Sequence, residues 1–486
     1  MKFVFLLLLT CNLLHSQIYF SKIIPFEHEG ENINPNAFAL EYYNNEILIA
    51  NVYVGNKSTL TRIDLDGNVL ENIVYSEFVF SKDPFSIIKN DLFLFAKDRE
   101  IANNTRLKRL DSNYNEVFLN SYLNPGDSTF PLGSISIDST IYTASITEFA
   151  QNNDVRAHIK KINTTGVVEW QQNIGEDYPI IFPYKLTHDS AFNLITASTA
   201  ISSGNSRHSV VHKVNPDGAV EWVYESPEPS FLLRIESVIF TGDKIVLSNA
   251  VDRSDSLEFI VNDYHPYPPK ITWLTNDGGF IKDTLFITDI ETELFITDIT
   301  KGRGGYFFVH GEWYDSSENK TYAWLVKMRD SGEVLWERKY QHPSFEIEYS
   351  HSLRDILELP SGDILLLLNA NKLNEVSQII LAKVNENGCF SDETCDCLEI
   401  YTSTEEQGME SIVKVFPNPV SDYLTINIDY DAQLHIYDLN NRLVMTSSIS
   451  PVFSKISVTS LIPGIYIYTL SQEEKRISNG SFIKKQ

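Results

Sequence analysis

A short motif that recurs seven times constrains the fold of this chain more than any other feature. In each copy a basic or aromatic residue and a hydrophobic residue end an apolar run, and a polar turn follows. From Gly67 to Gly388 six intervals cover 321 residues, so the mean period is 53.5 residues. The seven copies begin at Arg62, Arg109, Lys161, Lys213, Trp273, Lys327 and Lys383.

Each copy has the character of a β-hairpin, because Gly- or Asn-containing turns between β-rich runs are strong hairpin signals. Upstream of each of the last six copies lies another pair of runs around its own turn, which gives about four strands per repeat. A four-stranded unit with a period of about 50 residues and no helical segment is typical of a propeller blade rather than a solenoid coil. The sequence therefore predicts an all-β fold whose body is a seven-bladed β-propeller.

The last repeat lacks a fourth strand of its own. After Gly388 the chain turns polar and rich in cysteine, whereas residues 17–25 form an apolar β-run that precedes the first full repeat. Pairing of this N-terminal run with the last blade would close the ring and cover two open sheet edges. We therefore expect residues 17–390 to form a propeller closed by the N-terminal strand.

Residues 412–486 have a different pattern of short alternating strands, which predicts a small Ig-like β-sandwich. Its markers are an aromatic-Pro-Asn-Pro opening, a Tyr-Asp strand end, a Gly-Ile-Tyr strand and a basic C-terminus. The residues that carry this motif are Phe416, Pro417, Asn418, Pro419, Asp438, Gly464 and Tyr466, followed by Lys484 and Lys485.

This order of motifs resembles the type A sorting domain of the type IX secretion system. Two departures are Asn440-Asn441, where the family usually has Gly followed by Arg or Lys, and Ser478 to Ser481, where a lysine is usual. The resemblance implies that the type IX machinery is a partner and that the protein is secreted or displayed on the outer surface of a Bacteroidetes-type cell. It says nothing about the preceding four-fifths of the chain.

The N-terminus resembles a secretory signal peptide. Lys2 is followed by the apolar run from Phe3 to Leu9, and Ser16 and Gln17 flank the expected cleavage site, so residues 1–16 are predicted to be removed. A lipoprotein signal that uses Cys11 is the alternative, although Thr10 before it fits that pattern poorly. No other segment approaches 18 apolar residues, which predicts a mature chain that is not transmembrane.

The net negative charge argues against two classes of partner. The formal net charge is −26, and residues 412–486 carry seven basic and six acidic residues, so the negative charge lies on the body. Nucleic acids and anionic lipids require clustered Lys and Arg. We therefore expect no nucleic-acid partner.

Three cysteines remain after the expected cleavage, namely Cys389, Cys395 and Cys397 at the end of the body. In an oxidising compartment Cys389 would form a disulfide with either of the other two, leaving one thiol over. The surrounding acidic residues are poor partners for a structural zinc site. Residues 391–411 are expected to form a polar linker.

The sequence contains no convincing catalytic constellation: a Gly-x-Ser-x-Gly elbow, a His-Glu-x-x-His motif and a phosphate loop are all missing. The best candidate for a polar pocket is His310 with Glu312 and Trp313. Asp64 and Asp66 suggest half a calcium loop, but a hairpin turn explains both. We predict no catalytic residue, metal or cofactor.

Three functions remain open for the body. The first is a binding or scaffold module with an unknown extracellular ligand, either a glycan or a protein. The second is a secreted hydrolase or lyase acting on glycans, which would need carboxylates that converge at the mouth of the central channel. The third is a structural or adhesive surface protein. The sequence favours the first, because it requires nothing that the chain lacks.

Overall fold

The structure is a computed structural model. For some strand residues only the backbone is described. Every described secondary-structure element is a β-strand, and in this part of the chain no helix has the length and apolar character needed to cross a membrane. The described residues are 20–24, 36–52, 57–124, 126–151, 154–203, 206–226, 233–251, 269–287, 292–316, 319–341, 350–371, 377–390, 401–405, 414–416, 420–427, 431–437, 442–450, 454–472 and 475–485.

The chain divides into two compact units, Met1–Glu405 and Glu406–Gln486. In the first unit the described strands form seven groups of four antiparallel strands. The first three groups and the opening strand are β1 (Phe20–Ile24), β2 (Asn36–Tyr43), β3 (Glu46–Val52), β4 (Ser58–Ile63), β5 (Val69–Tyr75), β6 (Phe78–Ile88), β7 (Asp91–Asp98), β8 (Asn104–Leu110), β9 (Glu116–Leu123), β10 (Ser128–Ile137), β11 (Thr140–Phe149), β12 (Asp154–Asn163) and β13 (Val168–Ile174).

The later groups continue the same order of strands. They comprise β14 (Ile180–His188), β15 (Leu194–Ile201), β16 (Arg207–Val214), β17 (Val220–Glu225), β18 (Leu233–Thr241), β19 (Lys244–Val251), β20 (Lys270–Thr275), β21 (Phe280–Ile287), β22 (Thr292–Lys301), β23 (Tyr306–Asp315), β24 (Lys320–Arg329), β25 (Val334–Tyr340), β26 (Ser350–Glu358), β27 (Ile364–Asn371) and β28 (Gln378–Val384). In the last group β1 supplies the fourth strand, pairing antiparallel with β28 from Phe20↔Lys383 to Ile24↔Ile379.

The groups are arranged in a ring. Their first strands, β2, β6, β10, β14, β18, β22 and β26, contact one another in that order, and β26 contacts β2. Single parallel bridges, Gly133↔Asp83 and Val155↔Ile180, also join the second, third and fourth groups into one continuous sheet. This is the architecture of a β-propeller, and the four-stranded groups are its blades.

The hydrophobic core lies between the blades rather than at the centre of the ring. Successive residues of a strand point to opposite faces of the sheet, so each inner part of a blade supplies two interfaces. Ile47 and Ile49 pack against the last blade, whereas Leu48 and Ala50 pack against the second. Seven such clusters separate the seven neighbouring pairs of blades among the described residues.

One strand lies within the range predicted to be a linker. The strand β29 (Tyr401–Glu405) pairs antiparallel with β21, so that it becomes a fifth strand at the outer edge of the fifth blade. An outer blade edge offers unpaired backbone groups, and this is the position where an additional strand can be added.

The second unit is a small β-sandwich. Its strands are β30 (Lys414–Phe416), β31 (Tyr423–Asn427), β32 (Ala432–Tyr437), β33 (Leu443–Ile449), β34 (Ser454–Ser457), β35 (Gly464–Gln472) and β36 (Lys475–Lys484). One sheet has the order β30-β31-β34 and the other β33-β32-β35-β36. Residues from both sheets, such as Leu424 and Leu434, share one buried cluster.

Candidate functional site at the propeller axis

A β-bulge interrupts the first strand of each of the seven blades, which is the strand nearest the centre of the ring. In β6 the bulge comprises residues 81–84, and in the other six strands a single residue is left without a partner in the ladder. These single residues are Phe38, Leu132, Tyr184, Glu236, Thr297 and Arg354. Bulges redirect side chains and are common next to functional sites, so the residues at the level of the bulges are candidates for such a site.

We use the name axial ring for one residue per blade at this level. In six blades it is the residue that follows the bulge, and in the second blade it is Asp83, which bridges to Gly133 of the third blade. The seven members are Ala39, Asp83, Gly133, Lys185, Ser237, Asp298 and Asp355. The axial ring therefore contains three carboxyl groups and one ammonium group. Its other three members are alanine, glycine and serine, which are small.

A two-pronged ion pair crosses the axis. The Lys185 Nζ of the fourth blade lies 2.7 and 2.8 Å from the two carboxylate oxygens of Asp298 in the sixth blade. It also donates a hydrogen bond to the Ile299 carbonyl at 3.3 Å. Burial is the largest single influence and would raise the pKa of Asp298. The charge of Lys185, its hydrogen bonds and the nearby charge of Lys82 together outweigh burial and hold that pKa below its usual value. Asp298 is therefore ionised and paired.

The other two carboxyl groups of the axial ring have no lysine of their own at ion-pair distance among the described contacts. Asp355 accepts hydrogen bonds from the backbone N–H of Leu40 at 2.6 Å and of Ile356 at 2.8 Å. Burial nevertheless raises the pKa of Asp355 to about 8, and burial also raises the pKa of Asp83. Lys185 and Lys82 oppose the shift at Asp83 but do not cancel it.

Water reaches this cluster. Although the groups lie deep in the ring, the Lys185 side chain keeps 20% of its surface exposed and that of Asp298 keeps 6%. Asp83 and Asp355 are also only partly buried. Burial by surrounding protein together with residual exposure is what a narrow, water-filled channel produces.

His310, which the sequence singled out, lies beside this cluster. It is directly opposite Asp298 in the β22–β23 ladder, so the two side chains share one face of the blade. His310 is fully buried, and burial lowers its pKa to about 4 although Asp298 opposes the shift. Its Nε2 is 3.4 Å from Thr300 Oγ1, and a hydrogen bond to the backbone of Leu353 opposes the lowering of the pKa.

The other two members of the predicted pocket, Glu312 and Trp313, lie on opposite faces of β23. Trp313 lies on the opposite face of β23 and joins the hydrophobic cluster between the fifth and sixth blades. Its ring is covered by the Lys339 ammonium, which lies 3.5 Å from the ring centroid. Glu312 is half-buried two residues beyond His310. His310 therefore belongs with Asp298, and Trp313 does not.

The repeated motif builds the outer rim of the ring. In the first copy, the Asp64 carboxylate accepts hydrogen bonds from the backbone N–H groups of Asp66 and Asn68 at 3.0 and 2.8 Å. Asp111, Asn163, Asn215 and Asn385 make the same pair of contacts in their own turns. The oxygens that suggested half a calcium loop are thus used by a local turn.

Rim residues also join each blade to the next, in an arrangement that we call the rim latch: a basic residue on one outer strand, an aromatic residue opposite, and a carbonyl of the next blade. Lys161 Nζ and Trp170 Nε1 both donate to the Pro216 carbonyl, at 3.1 and 3.0 Å. Lys213 and Trp222 do the same to the Asn276 carbonyl, at 3.1 and 3.2 Å. The recurrent tryptophans are therefore packing residues.

The fifth blade carries the rim latch with its two residue types exchanged. Trp273 stands where the other copies have a basic residue, and Lys282 is opposite it on β21. Lys282 Nζ lies 4.6 Å from the centroid of the Trp273 ring and donates to the Ser331 carbonyl of the next blade. The contact with the next blade is kept, because either of the two outer strands can place the ammonium group beside the neighbouring hairpin.

Cys389 follows the last repeat and is in a disulfide bond. It is buried, and its backbone N–H donates to Asn385 Oδ1 at 2.9 Å. Cys395 and Cys397 lie outside the described residues, so the choice between them as the partner stays a prediction. Ser16 and Gln17 of the expected cleavage site also lie outside the described residues.

Part of the sorting motif is described in the second unit. Tyr466 stacks on Phe482 with ring centroids 5.6 Å apart and donates its hydroxyl hydrogen to the Ile462 carbonyl at 2.8 Å. Gly464 begins β35, and the backbone of Phe416 pairs with Thr425. Pro417, Asn418, Pro419 and Asp438 lie outside the described residues.

Within the described ranges, no group of three His, Cys, Asp or Glu side chains lies close enough to hold a metal ion. The four charged members of the axial ring escaped the sequence analysis. A proline inside a strand pattern is the signal that could have found two of them, because Pro84 follows Asp83 directly and Pro183 lies two residues before Lys185.

The fold and the second unit together define a class: a propeller protein that carries its own export domain. Residues 414–485 match the family model described as "Secretion system C-terminal sorting domain". The tail is a type IX secretion C-terminal sorting domain, and the protein is accordingly secreted or attached to the outer surface. The prediction from the motif order is confirmed. No curated protein sequence matches the chain.

Solved structures resemble the chain in fold only. A crystal structure of puromycin hydrolase has a TM-score of 0.47 and 11% identity, covering 81% of this chain and 58% of its own. The acylaminoacyl peptidase of Pyrococcus horikoshii, in an orthorhombic crystal form, has 0.45 and 10%, covering 81% and 58%. The β-propeller domain of the Trilobed protease from Pyrococcus furiosus has 0.43 and 6%, covering 74% and 96%. The chain thus spans little more than half the length of the first two, and no activity is carried over.

Proposed function

We propose that this exported protein uses its propeller as a binding or scaffold module outside the cell, while the C-terminal domain engages the type IX machinery. The observation that carries the binding role is the axial ring, in which charged side chains from four blades meet at a place that water reaches. The rim latches support the same proposal, because a stiff ring holds those side chains in fixed positions without loss of conformational entropy on binding.

The proposal includes the division of the chain. Residues 1–16 are a signal peptide cleaved between Ser16 and Gln17, residues 17–390 are a seven-bladed propeller closed by the N-terminal strand, and residues 391–411 link it to the sorting domain at 412–486. The pairing of β1 with β28 and the seven interblade clusters support the propeller limits. The disulfide of Cys389 supports a compartment in which thiols are oxidised.

Deletion of residues 412–486 tests the export part of the proposal. The truncated chain should accumulate inside the outer membrane, whereas the full chain should be recovered at the cell surface or in the medium. The full chain with Asp66→Asn is a control for handling of a variant, because Asp66 is an exposed rim residue. Equal export of the truncated chain would contradict the role of the tail.

A screen of purified full-length chain on glycan and peptide arrays tests the binding part. We expect a ligand whose capture is lost in Asp355→Asn and kept in Asp66→Asn, since each variant removes one carboxylate but only the first removes it from the axial ring. A ligand captured equally by both variants would show that the axial ring is not the binding site.

A secreted glycan hydrolase or lyase is the second candidate, and one observation favours it. Asp298 and Asp355 lie in the same channel with their pKa values pushed in opposite directions, the first lowered by Lys185 and the second raised by burial to about 8. Such a separation is what an acid and a base need in order to work together. Release of reducing sugar or unsaturated product by the chain, abolished in Asp355→Asn, would establish this candidate over the first.

A further inference from the structure

We propose that the outer edge of the fifth blade is a strand-acceptor site, that is, a surface that captures an extended protein segment by β-pairing with β21 (Phe280–Ile287). In the structure this site holds the chain's own strand β29 (Tyr401–Glu405). The partner that the site fits better is an extended segment with a lysine or arginine opposite Asp283. The surface is separate from the axial ring, so the inference goes beyond the proposed function.

The fifth blade differs from the other six in its number of strands. Among the described strands, β5, β9, β13, β17, β25 and β1 each end their blades, whereas β21 is followed by β29. The added pairing is antiparallel and runs from Asp283↔Glu405 to Ile287↔Tyr401. A strand added to a sheet edge is held mainly by main-chain hydrogen bonds, which any extended segment can make. The occupied edge is therefore direct evidence that this blade accepts a further strand.

The backbone of β21 is oriented to receive a strand at this edge. Phe286 donates its N–H to the Pro269 carbonyl on the β20 side at 2.9 Å. Since the N–H groups of successive strand residues point to opposite sides, those of Asp283 and Leu285 point away from β20. The strand β29 lies on that side, with Ser403 directly opposite Leu285. Leu285 and Ser403 are therefore a hydrogen-bonded pair at the centre of the added ladder.

The acceptor strand is held in place by contacts that do not involve β29. The Phe286 ring packs edge-on against the Trp324 ring of the sixth blade, with the ring centroids 5.3 Å apart. On the β20 side, the Asp283 carboxylate accepts hydrogen bonds from Lys270 Nζ at 2.9 Å and from Thr272 Oγ1 at 2.6 Å. An edge that is already fixed loses little conformational entropy when a segment binds. The site therefore remains formed when its occupant leaves.

The charge of the resident strand does not suit the site. Glu405 stands directly opposite Asp283 in the ladder, and like charges at opposite positions destabilise a pair of strands. Lys270 offsets part of this repulsion, since it is paired with Asp283 from the other side at 2.9 Å. The whole chain carries a formal net charge of −26, which attracts basic segments and repels acidic ones. A lysine or arginine at the position of Glu405 would replace the repulsion by attraction.

The covalent connection explains why β29 nevertheless occupies the site. A segment joined to its site by a short flexible chain has an effective concentration in the millimolar range. Because the pairing forms within the chain, the Kd of the same segment as a free peptide should be no higher than about 1 mM. β29 has only five residues, of which Tyr401 alone is large and apolar. A segment that pairs more favourably can therefore displace it.

Hydrogen–deuterium exchange of the full-length chain, read by mass spectrometry, tests whether β29 covers the edge. Ser403→Pro removes the N–H at the centre of the added ladder, whereas Ser403→Ala keeps it. We expect the amides of residues 283–287 to exchange at least about tenfold faster in Ser403→Pro than in the wild type or in Ser403→Ala. The outer strand β17, which carries no added strand in the described part of the chain, should exchange equally in all three. Equal exchange of residues 283–287 in all three chains would overturn the proposal.

Substitutions at Glu405 test the charge of the preferred partner within the same chain. Glu405→Lys should slow the exchange of residues 283–287 by about fivefold relative to the wild type, because a favourable cross-strand pair replaces an unfavourable one. Glu405→Gln removes the charge alone and should have an intermediate effect. Exchange in Glu405→Lys that is as fast as in the wild type, or faster, would contradict the preference for a basic segment.

Capture of a separate segment is measured by fluorescence anisotropy, with labelled peptides of residues 399–407 added to the full-length Ser403→Pro chain. The native peptide should bind with a Kd of about 1 mM or lower, and the peptide with Glu405→Lys should bind about fivefold more tightly. Both should restore slow exchange at residues 283–287, whereas the peptide with Ser403→Pro should not bind.

Binding of the proline peptide, or failure of both other peptides to bind, would overturn the acceptor site. Unchanged circular dichroism and thermal melting would show that Ser403→Pro leaves the blades folded, as expected for a change outside their four-stranded groups. None of these outcomes depends on the axial ring, so a failure here leaves the proposed binding function standing.

Discussion

The outer rim and the axis of the propeller use the same charged residue types for opposite purposes. At the rim, a basic residue and an aromatic residue recur in successive blades and donate to a backbone carbonyl of the next blade, as Lys161 and Trp170 do at Pro216. At the axis, the equivalent position changes in nearly every blade, and Lys185 reaches Asp298 across the channel rather than in the neighbouring blade. Positions that repeat from blade to blade are therefore those that the fold requires, whereas positions that vary are those that the fold does not constrain.

Rim charges and axial charges also differ in how much they contribute to stability. Rim charges remain partly in water and contact carbonyl groups, so each is expected to contribute only about 1 kcal/mol. Axial charges lie deep in the ring, where removal of one partner leaves the other without compensation. Four substitutions test this difference, and their expected effects decrease in the order given.

Lys185→Met should cost about 3 kcal/mol of unfolding free energy near neutral pH, because Asp298 loses its ammonium partner and must either stay charged without compensation or take up a proton. Lys161→Met is the matched rim variant, with a side chain of similar exposure, 19% compared with 20%. It should cost only about 1 kcal/mol. Urea denaturation of both variants measures the difference.

If the axial variant were no less stable than the rim variant, the ion pair across the channel would be no more important than a surface contact. The loss in Lys185→Met should also shrink in acid, since protonation of the carboxyl groups removes the uncompensated charge. A loss that does not change with pH would point to lost packing of the lysine chain instead.

Gly218→Ala should destabilise the protein by about 2 kcal/mol or more, for two reasons. Gly218 has φ +93°, a region that residues with a Cβ rarely adopt, and the new Cβ would lie 3.0 Å from the Trp170 ring. Gly362→Ala is the control, because Gly362 has nearly the same φ, +92°, with no atom within 4 Å of the added Cβ. Thermal denaturation of both variants isolates the contribution of the rim contact, which is absent if the two lose equal stability.

Asp355→Asn should change the dependence of stability on pH. The folded pKa of Asp355 is raised to about 8, above its value in the unfolded chain, so between about pH 4 and 8 the folded state holds a proton that the unfolded state has released. This group therefore makes the protein less stable as pH rises through that range, by up to about 1.4 kcal/mol per pH unit. The variant should lose that part of the slope.

The slope, not the absolute stability, is the measurement that decides this prediction. Asparagine cannot accept both backbone N–H groups that Asp355 accepts, so the variant loses some stability at every pH. Glu41 and Glu337, whose pKa values burial raises to about 7, will keep contributing a slope of the same sign. Parallel curves for wild type and variant would show that Asp355 is already ionised in the folded protein.

Trp170→Phe is expected to have the smallest effect, about 1 kcal/mol, because the ring packing against Gly218 is largely retained while the hydrogen bond from Nε1 to the Pro216 carbonyl is lost. Guanidinium titration of this variant beside Trp222→Phe tests whether the rim latches are equivalent. If the two variants lost widely different amounts of unfolding free energy, the rim latches would not be equivalent, and the contrast between rim and axis would not hold.

The architecture could be predicted from the sequence because its signals are local. A turn such as Asn215 to Gly218 contains its own hydrogen-bond acceptor and the glycine with positive φ, all within four residues. Repetition of such a turn at a regular period reveals the blade without any knowledge of distant contacts. The same holds for the tail, whose motif order alone pointed to the sorting domain that the family model matches at residues 414–485.

The axial ring could not be predicted in this way. Lys185 and Asp298 are 113 residues apart and have no shared motif, and only closure of the ring brings them together. Their strands also contain bulges, which change the face on which a residue lies, so the simple alternation of strand residues gives the wrong direction at this level. His310 drew attention by its residue type, but the partner that matters, Asp298, lies on another strand.

Closure of the ring by β1 limits when the propeller can finish folding. The first strand of the body to leave the ribosome, Phe20–Ile24, has its partner at Gln378–Val384, near the end of the body. Some 350 residues must therefore be synthesised before the final pairing is possible, and contacts of such long sequence separation form slowly. Until then two hydrogen-bonding edges stay open, and the nascent chain depends on remaining apart from other copies of itself for that whole interval.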